Sequence, residues 1–408
     1  MQGAHHARLQ HWAKHAPSTA AIQSDHQIVT YQALADQVAS LPQHRDGPSL
    51  VYSQTSQWLE HLARLIQASR DGFCYLLGLD QQAAAEQLAK TLSATEVGQP
   101  SIQNPALHTA FYASFTSGSS GTPKCFFRDE ASWLQSYQHL DRFVGTYPSI
   151  AVATGAAHSM GVFFALWALH RGKSVHFDSL AADVWVGTPT HLELCYQALS
   201  KQPPKVILLG GSAISTAQIN TWQNVLPNTQ FLGFYGASEL SFVSIYDLTR
   251  TKPSSVGLPL DGVDIRIRDD HEIWVRSSQR CLGYLNAELL EDTDGFIYVG
   301  DQGKLRENGE LDIFHRIDAI KVAGKLLYPA QIEAALQKHA AVIQVAVKHY
   351  DDPLRGQRVT AHAVSSASVA ALKQHLVTEL GEAYRSVHIH IADALPKLAS
   401  GKINYGAL

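Results

Sequence analysis

Thr116-Ser117-Gly118-Ser119-Ser120-Gly121-Thr122-Pro123-Lys124 follows directly on Ala110-Phe111-Tyr112-Ala113-Ser114-Phe115. The aromatic-rich segment reads as a strand, and it empties into a loop of hydroxyls and glycines that ends in a lysine. Such a loop is built to hold phosphate. Glycines let backbone N–H groups approach an anion, hydroxyls add donors, and the lysine adds a point charge. A flexible Gly/Ser linker has a similar composition, but this stretch is short, follows an apolar strand and closes on Pro-Lys. It is not a Walker A loop, because Thr122 and Pro123 follow Gly121 where that motif needs G-K-[ST]. Gly172-Lys173-Ser174 has the right ending, but Trp167 stands where the first glycine belongs.

Further strand ends carry similar turns. Lys205 to Leu209 reads as a buried strand running into Gly210-Gly211-Ser212, and Ser215-Thr216-Ala217-Gln218 then opens a helix as a capping box. Gln230 to Phe234 leads into Tyr235-Gly236-Ala237-Ser238-Glu239. Strand, glycine turn and helix in repeated order predict an α/β sheet with ligand groups collected at the strand ends. Gly236 to Leu240 is like a nucleophile elbow over three residues, but Leu240 replaces its final glycine, which disfavours a hydrolase serine. Upstream, Ala20 to Leu41 reads as a hairpin then a helix, and Glu130 to Val144 as a helix with Trp133, Tyr137 and Leu140 on its core face. His158 precedes the apolar Val162-Phe163-Phe164, as a core histidine or as the wall of an apolar substrate pocket.

From about Val256 to Phe314 the texture is β-rich, with Asp301 directly after Gly300 at a strand end. A boundary is expected at Phe314 to Asp318, giving a large lobe over 1–317 and a small one over 318–408. From Ala319 onward ten Lys/Arg face six Asp/Glu, so the small lobe is basic and the rest carries a surplus of eight negative charges. The 408 residues, 45% hydrophobic, suffice for two or more domains. A net charge of -4 gives no global attraction to nucleic acid or anionic membrane. Cys74, Cys125, Cys195 and Cys281 are far apart with no C-x-x-C pair, so neither disulfides nor zinc are expected. Cys125 is expected to be buried and inert. The 21 histidines are scattered without metal-ligand spacing. Met1 to Ala21 lacks an apolar signal core and Val162 to Leu169 is too short to span a bilayer, so a cytoplasmic chain without a membrane span is expected.

Taken in order, these motifs resemble the adenylate-forming superfamily of acyl-CoA synthetases, peptide-synthetase adenylation domains and luciferases. The likeness runs from Val29-Thr30-Tyr31-Gln32-Ala33-Leu34 to the last residues. Thr116 to Lys124 is similar to that family's phosphate loop, Tyr235 to Glu239 to its Y-G-x-T-E, and Gly300-Asp301 to its T-G-D. Arg316-Ile317-Asp318 with Ile320-Lys321 and Gly324 resembles its hinge segment, and Pro396 to Lys402 its P-K-T-x-S-G-K. Ser238 replaces the usual threonine, His315 the hinge glycine, Gln331 an acid of P-x-E-I-E, and Tyr405 a common arginine. The interval between Tyr31 and Thr116 is shorter than usual.

The resemblance implies a large N-terminal α/β lobe with mixed sheets and a β-rich subdomain, followed by a small mobile α+β C-terminal lobe. It implies an ATP-dependent acid–CoA ligase that uses Mg²⁺ and CoA: a fatty or aromatic carboxylate attacks the α-phosphate, and a thiol then attacks the acyl-adenylate. Alternatives are an o-succinylbenzoate–CoA ligase, an adenylase loading an acyl carrier protein, or a non-catalytic nucleotide-binding relative. By position, Thr116, Ser117, Gly118, Ser119, Ser120, Gly121, Thr122 and Lys124 would grip the outer phosphates. Glu239 and Thr116 would hold the metal and Ser238 would donate to the α-phosphate. Gly211, Ser212 and Tyr235 would line the adenine slot, Gly236 would contribute to nucleotide binding, and Asp301 would take both ribose hydroxyls with Arg316 nearby. His158 would sit by the acyl group, and Lys402 would bridge carboxylate and α-phosphate. Asp318 would be the hinge that turns the small lobe and presents the thiol around Gly324.

Overall fold

The computed structural model describes residues 3–24, 27–45, 49–52, 57–77, 95–96, 107–116, 124–154, 158–177, 179–212, 214–251, 255–268, 271–316, 320–322, 325–327, 329–352, 356–398 and 403–408. Two compact units divide the chain. The first holds residues 1–268, 273–299 and 305–312; the second holds 269–272, 300–304 and 313–408.

The first unit contains an eight-stranded sheet. Its strands are β1 (Ala20–Gln23), β2 (Ile28–Thr30), β8 (Ser149–Val152), β9 (Ser174–His176), β10 (Val184–Gly187), β11 (Val206–Leu209), β12 (Gln230–Ala237) and β13 (Ser241–Asp247), in the order β13-β12-β11-β10-β8-β9-β1-β2. Its central strands are parallel and apolar on both faces, as strands covered on two sides must be. Period-two alternation sorts them: Val206 and Leu208 join one core, Ile207 and Leu209 the other. The second core is closed by helices α6 (Pro189–Leu199) and α7 (Thr216–Val225). Ser215 and Gln218 make the expected capping box on α7.

A six-stranded sheet carries the expected phosphate strand. It comprises β3 (Leu50–Tyr52), β4 (Cys74–Leu77), β5 (Thr95–Glu96), β6 (Ala110–Thr116), β7 (Lys124–Asp129) and β16 (Gly283–Tyr284), ordered β16-β7-β6-β4-β3-β5. Helix α5 (Ser159–His170) is buried from Gly161 to His170 and shares one hydrophobic cluster with residues of both sheets. A helix apolar on every side is stable only in such a position. Helix α4 (Glu130–Val144) spans the expected residues, and Asp129 caps it by accepting from the Ser132 N–H. The β-rich stretch forms a third sheet ordered β14-β15-β17-β18: β14 (Val263–Ile267), β15 (Glu272–Ser277), β17 (Ile297–Leu305) and β18 (Leu311–Arg316), with residues of the last three divided between the units.

The second unit has its own core around α8 (Pro329–Gln337), α9 (Val369–Leu380) and the sheet of β21 (Val342–Asp352), β22 (Gly356–Ser365) and β23 (His388–Ile391). A short hairpin, β19 (Ile320–Val322) and β20 (Lys325–Leu327), precedes it. Among the described residues no helix is long and apolar enough to cross a membrane.

Helix α1 (Ala4–His15) was not foreseen, because its buried face is His5, Leu9 and Ala13, with a histidine where a pattern search expects an apolar residue. His5 is 4% exposed, and its Nδ1 lies 2.7 Å from Oε1 of Glu130, itself 3% exposed. The same oxygen accepts from the His5 N–H at 3.0 Å and the Ser69 hydroxyl at 2.6 Å, while Oε2 accepts from the Ala4 N–H at 3.2 Å. The carboxylate thus serves the open N–H groups of the helix start. Burial would raise the Glu130 pKa, but these bonds and the His5 charge prevail and hold it at about 2, against an ordinary 4.5.

Since the folded value lies below the unfolded one, this contribution is complete above about pH 4.5 and is lost as pH falls towards about 2. The full shift corresponds to about 3 kcal/mol. Glu130→Gln is expected to lower the unfolding free energy by about that amount at neutral pH. It should also flatten the wild-type acid limb, as read from urea melts at a series of pH values.

Candidate active site

The Thr116–Lys124 stretch is held at its two ends. Antiparallel β6 and β7 pair Thr116 with Lys124, and the Thr116 hydroxyl donates to the Lys124 carbonyl at 3.4 Å. Ser117, Gly118, Ser119, Ser120, Gly121 and Thr122 lie outside the described residues, as do Asp318, Gly324 and Lys402.

A second loop, Ser238-Glu239-Leu240, joins antiparallel β12 and β13. The Leu240 N–H closes it on the Ala237 carbonyl at 3.0 Å. An extra residue bulges β13 opposite Tyr235 and Gly236, sharpening the bend at this end of the sheet. Ser241 follows in the left-handed region at φ 58°, a conformation that three-residue hairpin loops commonly use. Gly236 is required here, since a Cβ at that position would lie 1.8 Å from the Ser241 carbonyl oxygen. Glu239 is 2% exposed, whereas Tyr235 and Ser238 are half-buried.

The polar groups of this loop are pinned from two directions. Arg128, 1% exposed, donates through Nε to the Ser238 carbonyl at 3.0 Å and through Nη1 to the Gln279 carbonyl at 2.8 Å. Burial pushes its pKa down, and neighbouring groups including Cys281 and Glu239 pull the other way. The Cys281 N–H donates to the Glu239 carbonyl at 2.6 Å, and the Tyr284 hydroxyl donates to Glu239 Oε1 at 2.5 Å. Lys124 Nζ lies 5.4 Å from the centre of the Tyr284 ring, a cation–π contact. Lys124 and Glu239, 115 positions apart in the sequence, therefore meet on opposite parts of one side chain. Arg128 and Tyr284 were missed because a lone arginine in a strand and a tyrosine in a β-rich stretch carry no motif.

Gly210, Gly211 and Ser212 follow β11, which pairs in parallel with β12. They thus fall at strand ends neighbouring the Tyr235–Glu239 turn. The Phe234 ring covers Gly210, where a Cβ would lie 2.3 Å from it. His158 caps α5, its Nδ1 accepting from the Met160 N–H at 3.2 Å. Burial raises the Cys125 thiol pKa, which makes it unreactive as expected. In the second unit, Asp301 lies within β17 and Arg316 ends β18.

Glu239 suits a hard cation. Its Oε1 is engaged by Tyr284, and no hydrogen bond among the described residues engages Oε2. The Thr116 oxygen keeps lone pairs as a second donor. No group of three or more His, Cys, Asp or Glu converges among the described residues. One carboxylate joined by phosphate oxygens and water is how Mg²⁺ is usually bound, and Glu239, with one oxygen unengaged among the described residues, fits that ion.

Glycine turns at parallel strand ends, with a buried carboxylate and a loop lysine on one tyrosine, give this α/β chain a candidate nucleotide site. Residues 47–285 match the family described as AMP-binding enzyme, and residues 331–402 its C-terminal domain. The chain belongs to this family and is an AMP-forming ligase of the adenylate-forming superfamily. It is 28% identical over 323 residues to the uncharacterized acyl–CoA ligase YhfT of Bacillus subtilis, covering 72% of this chain and 67% of the relative. A putative long chain fatty acid-CoA ligase, VraA of Staphylococcus haemolyticus, is 23% identical over 383 residues, or 83% of each chain. Among solved structures, the o-succinylbenzoate CoA synthetase of Bacillus subtilis with its acyl-adenylate intermediate superposes with a TM-score of 0.79 at 19% identity. That match covers 97% of this chain and 96% of the other.

Arg128→Met retains most of the buried volume but leaves the Ser238 and Gln279 carbonyls without their donor. It is expected to destabilise the fold by about 2–4 kcal/mol, measured by urea unfolding against the wild-type chain.

Proposed function

We propose that this chain is an ATP-dependent acid–CoA ligase that activates a fatty or aromatic carboxylate as its acyl-adenylate and then transfers the acyl group to CoA. The observation that carries the reading is the meeting of Glu239 and Lys124 on Tyr284, at the mouth of the loop that begins at Thr116. The first step brings two anions together and adds negative charge at the transition state, so fixed cations and donors are its main requirement.

In this reading, the backbone N–H groups and hydroxyls of residues 117–122, with Lys124, hold the outer phosphates against electrostatic repulsion. Glu239 and Thr116 would hold Mg²⁺, which when bound would neutralise phosphate charge. Ser238 donates to the α-phosphate, and Tyr235 stacks on adenine beside Gly211, Ser212 and Gly236. Asp301 accepts from both ribose hydroxyls, with Arg316 contributing on the same side. The Lys402 ammonium meets the incoming carboxylate and the α-phosphate, and Asp318 serves as the hinge that exchanges Lys402 for the thiol-binding segment around Gly324. The apolar run after His158, with Phe234 over Gly210, supports an apolar acyl group.

Acid-dependent exchange of pyrophosphate into ATP, screened across fatty and aromatic acids, tests the reading and names the acid. Exchange with at least one acid is expected, and silence with all of them would leave a nucleotide-binding relative instead. Lys402→Ala should lower adenylate formation by at least about a hundredfold while leaving thioester formation from supplied acyl-adenylate largely intact. An unchanged exchange rate would overturn the assignment of Lys402. Product thioester with CoA, against label on a carrier protein, decides the acceptor.

A further inference from the structure

Residues 281–286 are stapled to strand β7 along their length. The Leu282 N–H donates to the Phe127 carbonyl at 2.9 Å, the Leu285 N–H to the Cys125 carbonyl at 2.8 Å, and Asn286 Oδ1 accepts from the Cys125 N–H at 2.7 Å. Gly283 and Tyr284 pair with Phe127 and Phe126. The same segment reaches the Glu239 loop through the Cys281 N–H and the Tyr284 hydroxyl. A six-residue connector thus ties the strand that ends the phosphate loop to the loop that carries the buried carboxylate.

We infer that Tyr284 is the positioning residue of the metal–phosphate grip, a role that rests on the adenylation reading above. Its hydroxyl donates to Glu239 Oε1 and restrains the carboxylate, so that Oε2 would be the oxygen left for the metal. Its ring gives the Lys124 ammonium a seat 5.4 Å from the ring centre, which limits the rotamers of a side chain that is otherwise highly mobile. One side chain therefore sets the relative position of the two charges that flank the nucleotide's phosphates, which is the preorganisation electrostatic catalysis needs. Tyr284 itself needs no contact with substrate to do this.

The two halves of the role separate by substitution. Tyr284→Phe removes only the hydroxyl, whereas Tyr284→Leu also removes the ring beneath Lys124. Binding of an ATP analogue with a methylene bridge between the α- and β-phosphates is measured by calorimetry, once with Mg²⁺ and once with EDTA. Tyr284→Phe is expected to weaken the Mg²⁺ arm about tenfold, with the EDTA arm within about twofold of wild type; Tyr284→Leu weakens both arms. These magnitudes are typical of a lost hydrogen bond to a charged group. In a Glu239→Gln background, Tyr284→Phe should add no further loss, since coupled residues are non-additive. In pyrophosphate exchange the KM for MgATP should rise while the KM for the acid stays put.

Equal loss in both arms for Tyr284→Phe, wild-type binding in both, or a full additional loss in the Glu239→Gln background would each overturn the inference. A Tyr284→Phe chain that fails to fold assigns the hydroxyl to stability and overturns it as well. Failure of the underlying reading looks different: the wild-type chain itself would then bind no MgATP analogue.

Discussion

A carboxylate buried to 2% exposure on a three-residue loop is costly to keep unless its surroundings are rigid and polar, and this end of the eight-stranded sheet depends on how Glu239 is accommodated. The loop around it is held by a backbone N–H, a guanidinium and a phenol, from residues 281, 128 and 284. Arg128 adds a buried cation, and Glu239 is among the groups whose field favours its charged form against burial. The arrangement engages one oxygen of the Glu239 carboxylate and the carbonyls of Ser238 and Glu239. Rigid support of this kind distinguishes a working charge from a merely present one.

The same logic explains why two sheets are needed. The phosphate strand β6 belongs to the six-stranded sheet and the Glu239 loop to the edge of the eight-stranded sheet. Helix α5, apolar around its circumference, shares the core with both. The connector 281–286 closes the gap at the polar end, hydrogen-bonded to β7 and to the Glu239 loop. Apolar burial thus sets the distance between the sheets, while a few directional bonds hold the Glu239 loop. The bulge opposite Tyr235 and the left-handed Ser241 are local strains at this end, where the turn must be tight enough to exclude any side chain at position 236.

Much of this was legible from the residues. The helices at Glu130–Val144 and Thr216–Val225 and the strands before each glycine turn follow from periodicity and caps, because their neighbours in sequence decide them. The elements that escaped depend on partners far along the chain. His5 is a core residue only because of Glu130, 125 positions away, so residues 4–15 taken alone show only a polar, histidine-rich stretch. Arg128 is indistinguishable from an exposed strand arginine until the Ser238 and Gln279 carbonyls are brought to it. Tyr284 is a strand aromatic until its hydroxyl meets Glu239. Sequence patterns single out candidate binding groups; the groups hydrogen-bonded to them from far along the chain are found only in three dimensions.

The central claim is that a carboxylate oxygen becomes bonded to the α-phosphorus of ATP. It is tested most directly with an acid labelled with heavy oxygen in its carboxylate, incubated with the protein, ATP, Mg²⁺ and CoA, and analysed by mass spectrometry of the nucleotide product. The account predicts AMP carrying one labelled oxygen, left on phosphorus when the thiol displaces the acyl group. Label in inorganic phosphate with ADP as the nucleotide, or AMP formed without label, would contradict it.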